Sequence, residues 1–91
     1  MTFNFGTIKK TSLILTFSVL DKNFKQEVSQ ALHKYINCNW GDIPDNEKDL
    51  NNKALVRDED IVAKYKTSKG EITITTSWNR AYTIILFSYE M

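Results

Sequence analysis

Apolar residues change their spacing once along this chain, from a helical period in the first half to a strand period in the second. Phe24, Val28, Ala31, Leu32 and Tyr35 recur every three or four positions. They place one apolar stripe on a helix over residues 23–36, with Lys25, Gln26, Gln30 and Lys34 on its outer side. Asn23 with Gln26 three residues later reads as a capping box, and the Asn-Cys-Asn-Trp-Gly run that follows reads as the turn ending the helix. A shorter second helix is expected from Asp42 as cap, Pro44 in the first turn, and Asp45 and Glu47 at the positive end of the helix dipole. Leu50, Ala54 and Leu55 are its expected buried side.

From residue 61 the period is two. Ile61, Ala63 and Tyr65 alternate with Val62, Lys64 and Lys66; Ser-Lys-Gly-Glu is a hairpin signal with Gly70 suited to a positive φ; Ile-Thr-Ile-Thr-Thr alternates again. Ser-Trp-Asn-Arg-Ala turns the chain once more. The last run, 82–88, is the most apolar and is expected to be central or covered on one face. Residues 13–20 fit two patterns. Leu13, Leu15, Phe17 and Val19 alternate as in a strand, whereas Leu13, Phe17, Leu20 and Phe24 form a helical stripe running into the next helix; propensity favours the strand.

Ninety-one residues at 42% hydrophobic and 25% charged allow one domain, 1–91, with a single core. The net charge of +1 disfavours a basic nucleic-acid binder, but the charge is unevenly placed. Residues 42–60 hold seven acids against three bases, Asp42, Asp45, Glu47, Asp49, Asp58, Glu59 and Asp60, between two mildly basic flanks. Such an island is either a plainly solvated face or the material for docking onto a basic groove. A lone cysteine, Cys38, suits a reducing compartment. The apolar run at 12–20 is too short for a membrane span and lacks a following cleavage site, so a cytoplasmic protein with no membrane partner is expected.

His33 and Cys38 are the only candidates for a base and a nucleophile, without a visible orienting group, and they fall short of the ligands that zinc requires. Gly6, Gly41 and Gly70 are too dispersed for a phosphate loop, so no metal, cofactor or catalytic set is expected. Trp40, beside a turn, is expected to pack on the core. Trp78 next to Arg80 in a polar turn has the composition of an interface anchor, and Arg80 also suits pairing with the acids. Lys64, Lys66 and Lys69 form a candidate basic stripe for nucleic acid, without interleaved aromatics to stack on bases.

The stretches FGTIKKT, FKQEVSQALHKYINCNWGD, EKDLNNKAL and YKTSKGEITITTSWNRAYTIILF together resemble a family of small proteins carried by plasmids, integrative elements and prophages of Firmicutes and other bacteria. The matching positions are Trp40, Gly41, Asp42, Asn51, Ala54, Leu55, Tyr65, Thr67, Lys69, Gly70, Thr76, Arg80, Thr83, Ile85 and Leu86. Ser77 and Asn79 stand where that family shows acids, and Cys38 and Asn39 where it shows Gly-Asp. The resemblance implies a helix for 13–20. Together with the periodicities above, the expected fold is α+β: two or three N-terminal helices packed on a C-terminal three-stranded antiparallel β meander, with room for a short N-terminal strand. It also implies a setting in which small accessory proteins face host restriction and CRISPR defences. The expected role is therefore a non-enzymatic inhibitor of a host defence nuclease or effector complex, acting through the acidic segment with Trp78 and Arg80. The alternative is a nucleic-acid-binding accessory protein acting through the three lysines. Dimerisation through an open sheet edge is compatible with either.

Overall fold

The computed structural model describes residues 4–91. Period-two alternation from residue 61 builds β2 (Ile61–Thr67), β3 (Gly70–Thr76) and β4 (Tyr82–Phe87), an antiparallel meander. An N-terminal strand, β1 (Thr7–Lys10), adds parallel to β4, so the sheet has four strands in the order β1-β4-β3-β2 and the most apolar strand lies inside it. Register places Ile61, Ala63 and Tyr65 beside Thr76, Ile74 and Ile72, and these beside Thr83, Ile85 and Phe87. That face is buried under the helices.

The segment of two-fold ambiguity is helical: α1 (Ser12–Leu20) is followed at once by α2 (Lys22–Ile36). Packing overrides strand propensity here, because a helix turns Ile14, Phe17 and Ser18 inward at i, i+3 and i+4. Of the expected stripe, Phe17 and Phe24 face inward, whereas Leu13 and Leu20 face outward. Thr11 opens α1 by accepting the Ile14 N–H, and its hydroxyl donates to Glu90 Oε2 at 2.9 Å. Glu90 also accepts the Phe87 N–H at 2.7 Å, which fastens the short 3₁₀ turn after β4 to the start of α1.

Asp21, not Asn23, caps α2. Its extended backbone breaks the two helices apart, and its Oδ1 accepts the N–H groups of Asn23 and Phe24 at 3.0 and 3.3 Å. The Phe24 N–H, and next the Lys69 ammonium at 3.3 Å, hold the Asp21 carboxyl below the usual carboxylate range. The α2 C-terminus closes as a Schellman motif, with Cys38 N–H on Tyr35 O at 3.0 Å and Asn39 N–H on Lys34 O at 2.8 Å. Cys38 accordingly takes φ +62°, a conformation that glycine adopts without penalty.

The Trp40 turn then docks on the edge of β2. Gly41, at φ +76°, lies so close to the Lys64 carbonyl and the Tyr65 ring that a Cβ would overlap both. Asp42 N–H donates to Lys64 O at 2.7 Å, and Asp42 Oδ2 accepts the Lys66 N–H at 3.1 Å. Asp42 therefore extends the sheet edge and caps no helix. Pro44 instead precedes α3 (Asp45–Ala54), as its N-cap residue. Ala54 is buried as expected and Leu55 partly so, but Leu50 is 58% exposed and Asn51 takes the inward place. The reason is polar: the Asn51 amide donates to Val62 O at 2.8 Å and accepts Val62 N–H at 3.2 Å, satisfying both backbone groups of an edge-strand residue.

A buried chain of hydroxyls joins these layers. Tyr35 OH lies 2.6 Å from Thr76 Oγ1, which lies 2.7 Å from Thr83 Oγ1, and Thr83 donates to Phe5 O. Each hydroxyl has one hydrogen, so the last bond sets the direction of the others. Thr83 spends its hydrogen on Phe5, Thr76 must donate to Thr83, and Tyr35 must donate to Thr76. Burial pushes the Tyr35 phenol far above its ordinary range, and the same holds for Tyr65, whose hydroxyl donates to Asn39 O at 2.6 Å.

Cys38→Gly is expected to raise stability by about 0.5–1 kcal/mol by relieving the left-handed backbone at the α2 cap. Urea denaturation checks this, and an unchanged or lower midpoint contradicts the cap assignment.

Candidate functional site

The acidic segment divides once it is folded. Asp45, Glu47 and Asp49 lie on α3, whereas Asp58, Glu59 and Asp60 lie on the connection into β2, and Asp42 is held by the Lys66 backbone. Asp45 has Lys48 at 3.9 Å. Asp49 and Asp58 are exposed. The structure brings together Glu47, Glu59 and Asp60, which line a shallow cleft of about 250 Å³ with Leu50, Asn51 and Val62. None of the three forms an ion pair among the described residues.

Asp60 also lines a second cleft, of about 310 Å³, with Thr75, Ser77, Trp78, Asn79, Tyr82 and Ile84. Trp78 is 61% exposed, in accord with its polar turn, while Trp40 is buried and donates its Nε1 hydrogen to Asn52 Oδ1 at 2.9 Å. Asp60 thus lines two depressions. The result is a strip from Glu47 on α3 to an aromatic wall on the outer face of the sheet. Tyr82 and Ile84 were not singled out from sequence, although their outward parity in β4, opposite to Thr83 and Ile85, is the signal that places them there.

Arg80 builds this strip from beneath. Its guanidinium donates to the carbonyls of Ala54, Glu59 and Ser77, with Nη1 at 2.6 Å from Glu59 O and 3.1 Å from Ser77 O. Those bonds tie the end of α3 and the acidic connection to the β3–β4 turn, so Arg80 meets the acidic segment through backbone oxygens. Its backbone sits at φ +59°, which aims the side chain back across the turn. The turn is also closed locally: Ser77 Oγ and Asn79 Oδ1 both accept the Ala81 N–H at 3.1 Å.

The lysine stripe is broken. Lys64 and Lys66 share the outer face of β2, but Lys69 reaches to the helical side, where its ammonium pairs with Asp21 and lies 5.8 Å above the Phe17 ring. A hairpin-tip lysine is free of strand parity, and the α2 cap carboxylate attracts it. His33 and Cys38 are both exposed. His33 faces Asn37, and no hydrogen bond joins it to Cys38 among the described residues. No group of three or more His, Cys, Asp or Glu is gathered as for a metal ion, and no helix is long and apolar enough to cross a membrane, both among the described residues.

Comparison with protein-family models, curated proteins and solved structures finds no match.

Arg80→Ala is expected to cost about 2–3 kcal/mol, the range for charged hydrogen bonds to partly buried carbonyls. Amide exchange over residues 55–60 should accelerate more than exchange in α2, measured by mass spectrometry. Uniform acceleration, or none, contradicts the assignment of Arg80 as the tie between turn and connection.

Proposed function

We propose that this chain is a non-enzymatic accessory protein of a mobile genetic element, working in a bacterial cytoplasm, that binds and inhibits a host defence nuclease or effector complex of the CRISPR or restriction type. The observation that carries the reading is the sharing of Asp60 between the Glu47/Glu59 cleft and the Trp78/Tyr82 cleft. Carboxylates without an ion pair among the described residues, beside an exposed tryptophan, suit a basic nucleic-acid groove on a partner: the carboxylates replace phosphates, and the aromatic supplies the apolar anchor that charge alone lacks. Arg80 and the Asn51 clamp hold the strip in place before binding, which limits the ordering cost of association. Asp49, Asp58 and Asp45 lie on the same two elements and contribute to the long-range field that steers encounter.

The resemblance to mobile-element proteins supplies the setting, and the strip supplies the contact. A nucleic-acid role for Lys64 and Lys66 is the competing reading, weakened by the diversion of Lys69 to Asp21.

The test combines capture from lysate of a low-GC bacterium, with and without nuclease treatment, with an inhibition assay on the recovered effector. The expected result is one nuclease or effector subunit retained after treatment, whose cleavage activity falls on adding the protein. Glu59→Lys with Asp60→Lys, both at exposed positions, should weaken inhibition at least about tenfold, and Trp78→Ala should cost a similar factor. Recovery of nucleic acid alone, lost on treatment, with steep salt dependence, overturns the inhibitor reading in favour of the lysine one.

A further inference from the structure

The junction where α1 meets α2 carries a second surface of different character. The α1 segment Ser-Leu-Ile-Leu-Thr-Phe-Ser-Val-Leu has no charged residue, yet much of its apolar surface faces solvent: Leu15 is 50% exposed, Leu20 75% and Val19 82%. Buried Ile14 and half-buried Phe17 satisfy the core, so these three side chains do nothing for it. Lys10 at the end of β1 and Lys22 and Lys25 at the start of α2 surround them. With Leu15, Ser18 and Val19, the lysines line a cleft of about 420 Å³, beside a depression of about 310 Å³ lined by Leu15, Thr16, Val19 and Leu20.

The three lysines form no ion pair among the described residues. The carboxylate nearest in the chain, Asp21, is committed to the α2 cap and to Lys69. Ser18 Oγ is buried without a hydrogen-bond partner among the described residues. The corner therefore offers hydrocarbon and positive charge together, its own carboxylate, Asp21, being engaged by the α2 cap and Lys69.

We propose that this corner docks onto an anionic lipid bilayer, with Leu15, Val19 and Leu20 entering the headgroup boundary and Lys10, Lys22 and Lys25 meeting lipid phosphates. A bilayer meets both demands at once, as for other apolar helical surfaces ringed by lysine. A second copy packed symmetrically on the same corner would bring six lysines together, which like-charge repulsion opposes. The run is too short to span a bilayer, but surface docking needs no span, and the proposal departs here from the expectation of no membrane partner. The proposal is independent of the inhibitor reading, since it uses neither α3 nor the β3–β4 turn.

The experiment is flotation of the purified chain with phosphatidylcholine vesicles, with and without phosphatidylglycerol, at low and moderate salt. The protein should float with the anionic vesicles and not with the neutral ones, and moderate salt should weaken binding. Val19→Glu with Leu20→Glu, at positions too exposed to disturb the core, should weaken partition at least about tenfold at unchanged thermal midpoint. Lys22→Gln and Lys25→Gln should each weaken it about fivefold and flatten the salt dependence. Glu59→Lys with Asp60→Lys should still float, which separates failure here from failure of the partner reading. Absence of flotation at low salt, equal binding to neutral vesicles, or indifference to the α1 substitutions overturns the proposal. So does competition by inorganic phosphate at matched ionic strength, which would mark a free-anion site. Self-association that Val19→Glu abolishes, without flotation, would instead assign the corner to a second copy.

Discussion

The hydroxyl chain from Tyr35 through Thr76 and Thr83 to the Phe5 carbonyl is the constraint on which most of the architecture depends. Polar groups buried this deeply are costly unless every hydrogen has an acceptor, and here the direction of each bond follows from the last one. The chain links α2, β3, β4 and the segment before β1. It therefore correlates elements that lie far apart in sequence, and it disfavours any slip of β3 against β4, since a one-residue shift of β3 would turn Thr76 to the outer face, away from Thr83. Aromatic packing adds to it without specifying it: Phe24 stacks on Phe87 at 5.6 Å, with Phe17 edge-on to both.

The same chain bears on the candidate site. Thr76 and Thr83 are the residues just outside the turn that carries Trp78 and Arg80, so both ends of that turn are held from the core side. Arg80 then transmits this order to the acidic connection through the Ala54 and Glu59 carbonyls. A rigid sheet end, a tied turn and a tied connection place Asp60 between two clefts. Preorganisation of this kind lets a small domain present carboxylates and an aromatic together without a large ordering cost. The molecule is consequently divided in character, with an acidic and aromatic strip at one end and a lysine-ringed apolar corner at the junction of α1 and α2.

Much of the fold was legible in the pattern, because alternation and helical spacing report burial directly. The strand parity of 61–67 and the stripe of Phe24, Val28, Ala31 and Tyr35 both survive folding. What was not legible came from polar groups acting at a distance. Local spacing reads Asp42 as a helix cap, yet it serves the edge of β2, and Asn51 takes the inward place of Leu50 because Val62 needs two hydrogen bonds. Cap position shifted by two residues, from Asn23 to Asp21, since the carboxylate also finds Lys69 across the fold. At the site, the acidic island and the exposure of Trp78 were visible in composition. The grouping of Glu47, Glu59 and Asp60, and the backbone role of Arg80, depend on tertiary geometry that local spacing does not encode.

If the buried hydroxyls act as one directed unit, their two outer members are coupled through Thr76, and a double-mutant cycle between them measures that coupling. Tyr35→Phe removes the first donor and Thr83→Val removes the last, each at nearly constant volume, and urea denaturation gives the stability of both single variants and the pair. A directed chain predicts that the two costs fail to add, with a coupling of about 1 kcal/mol transmitted through Thr76. Additivity within about 0.3 kcal/mol would mean that the bonds are independent and would contradict the account.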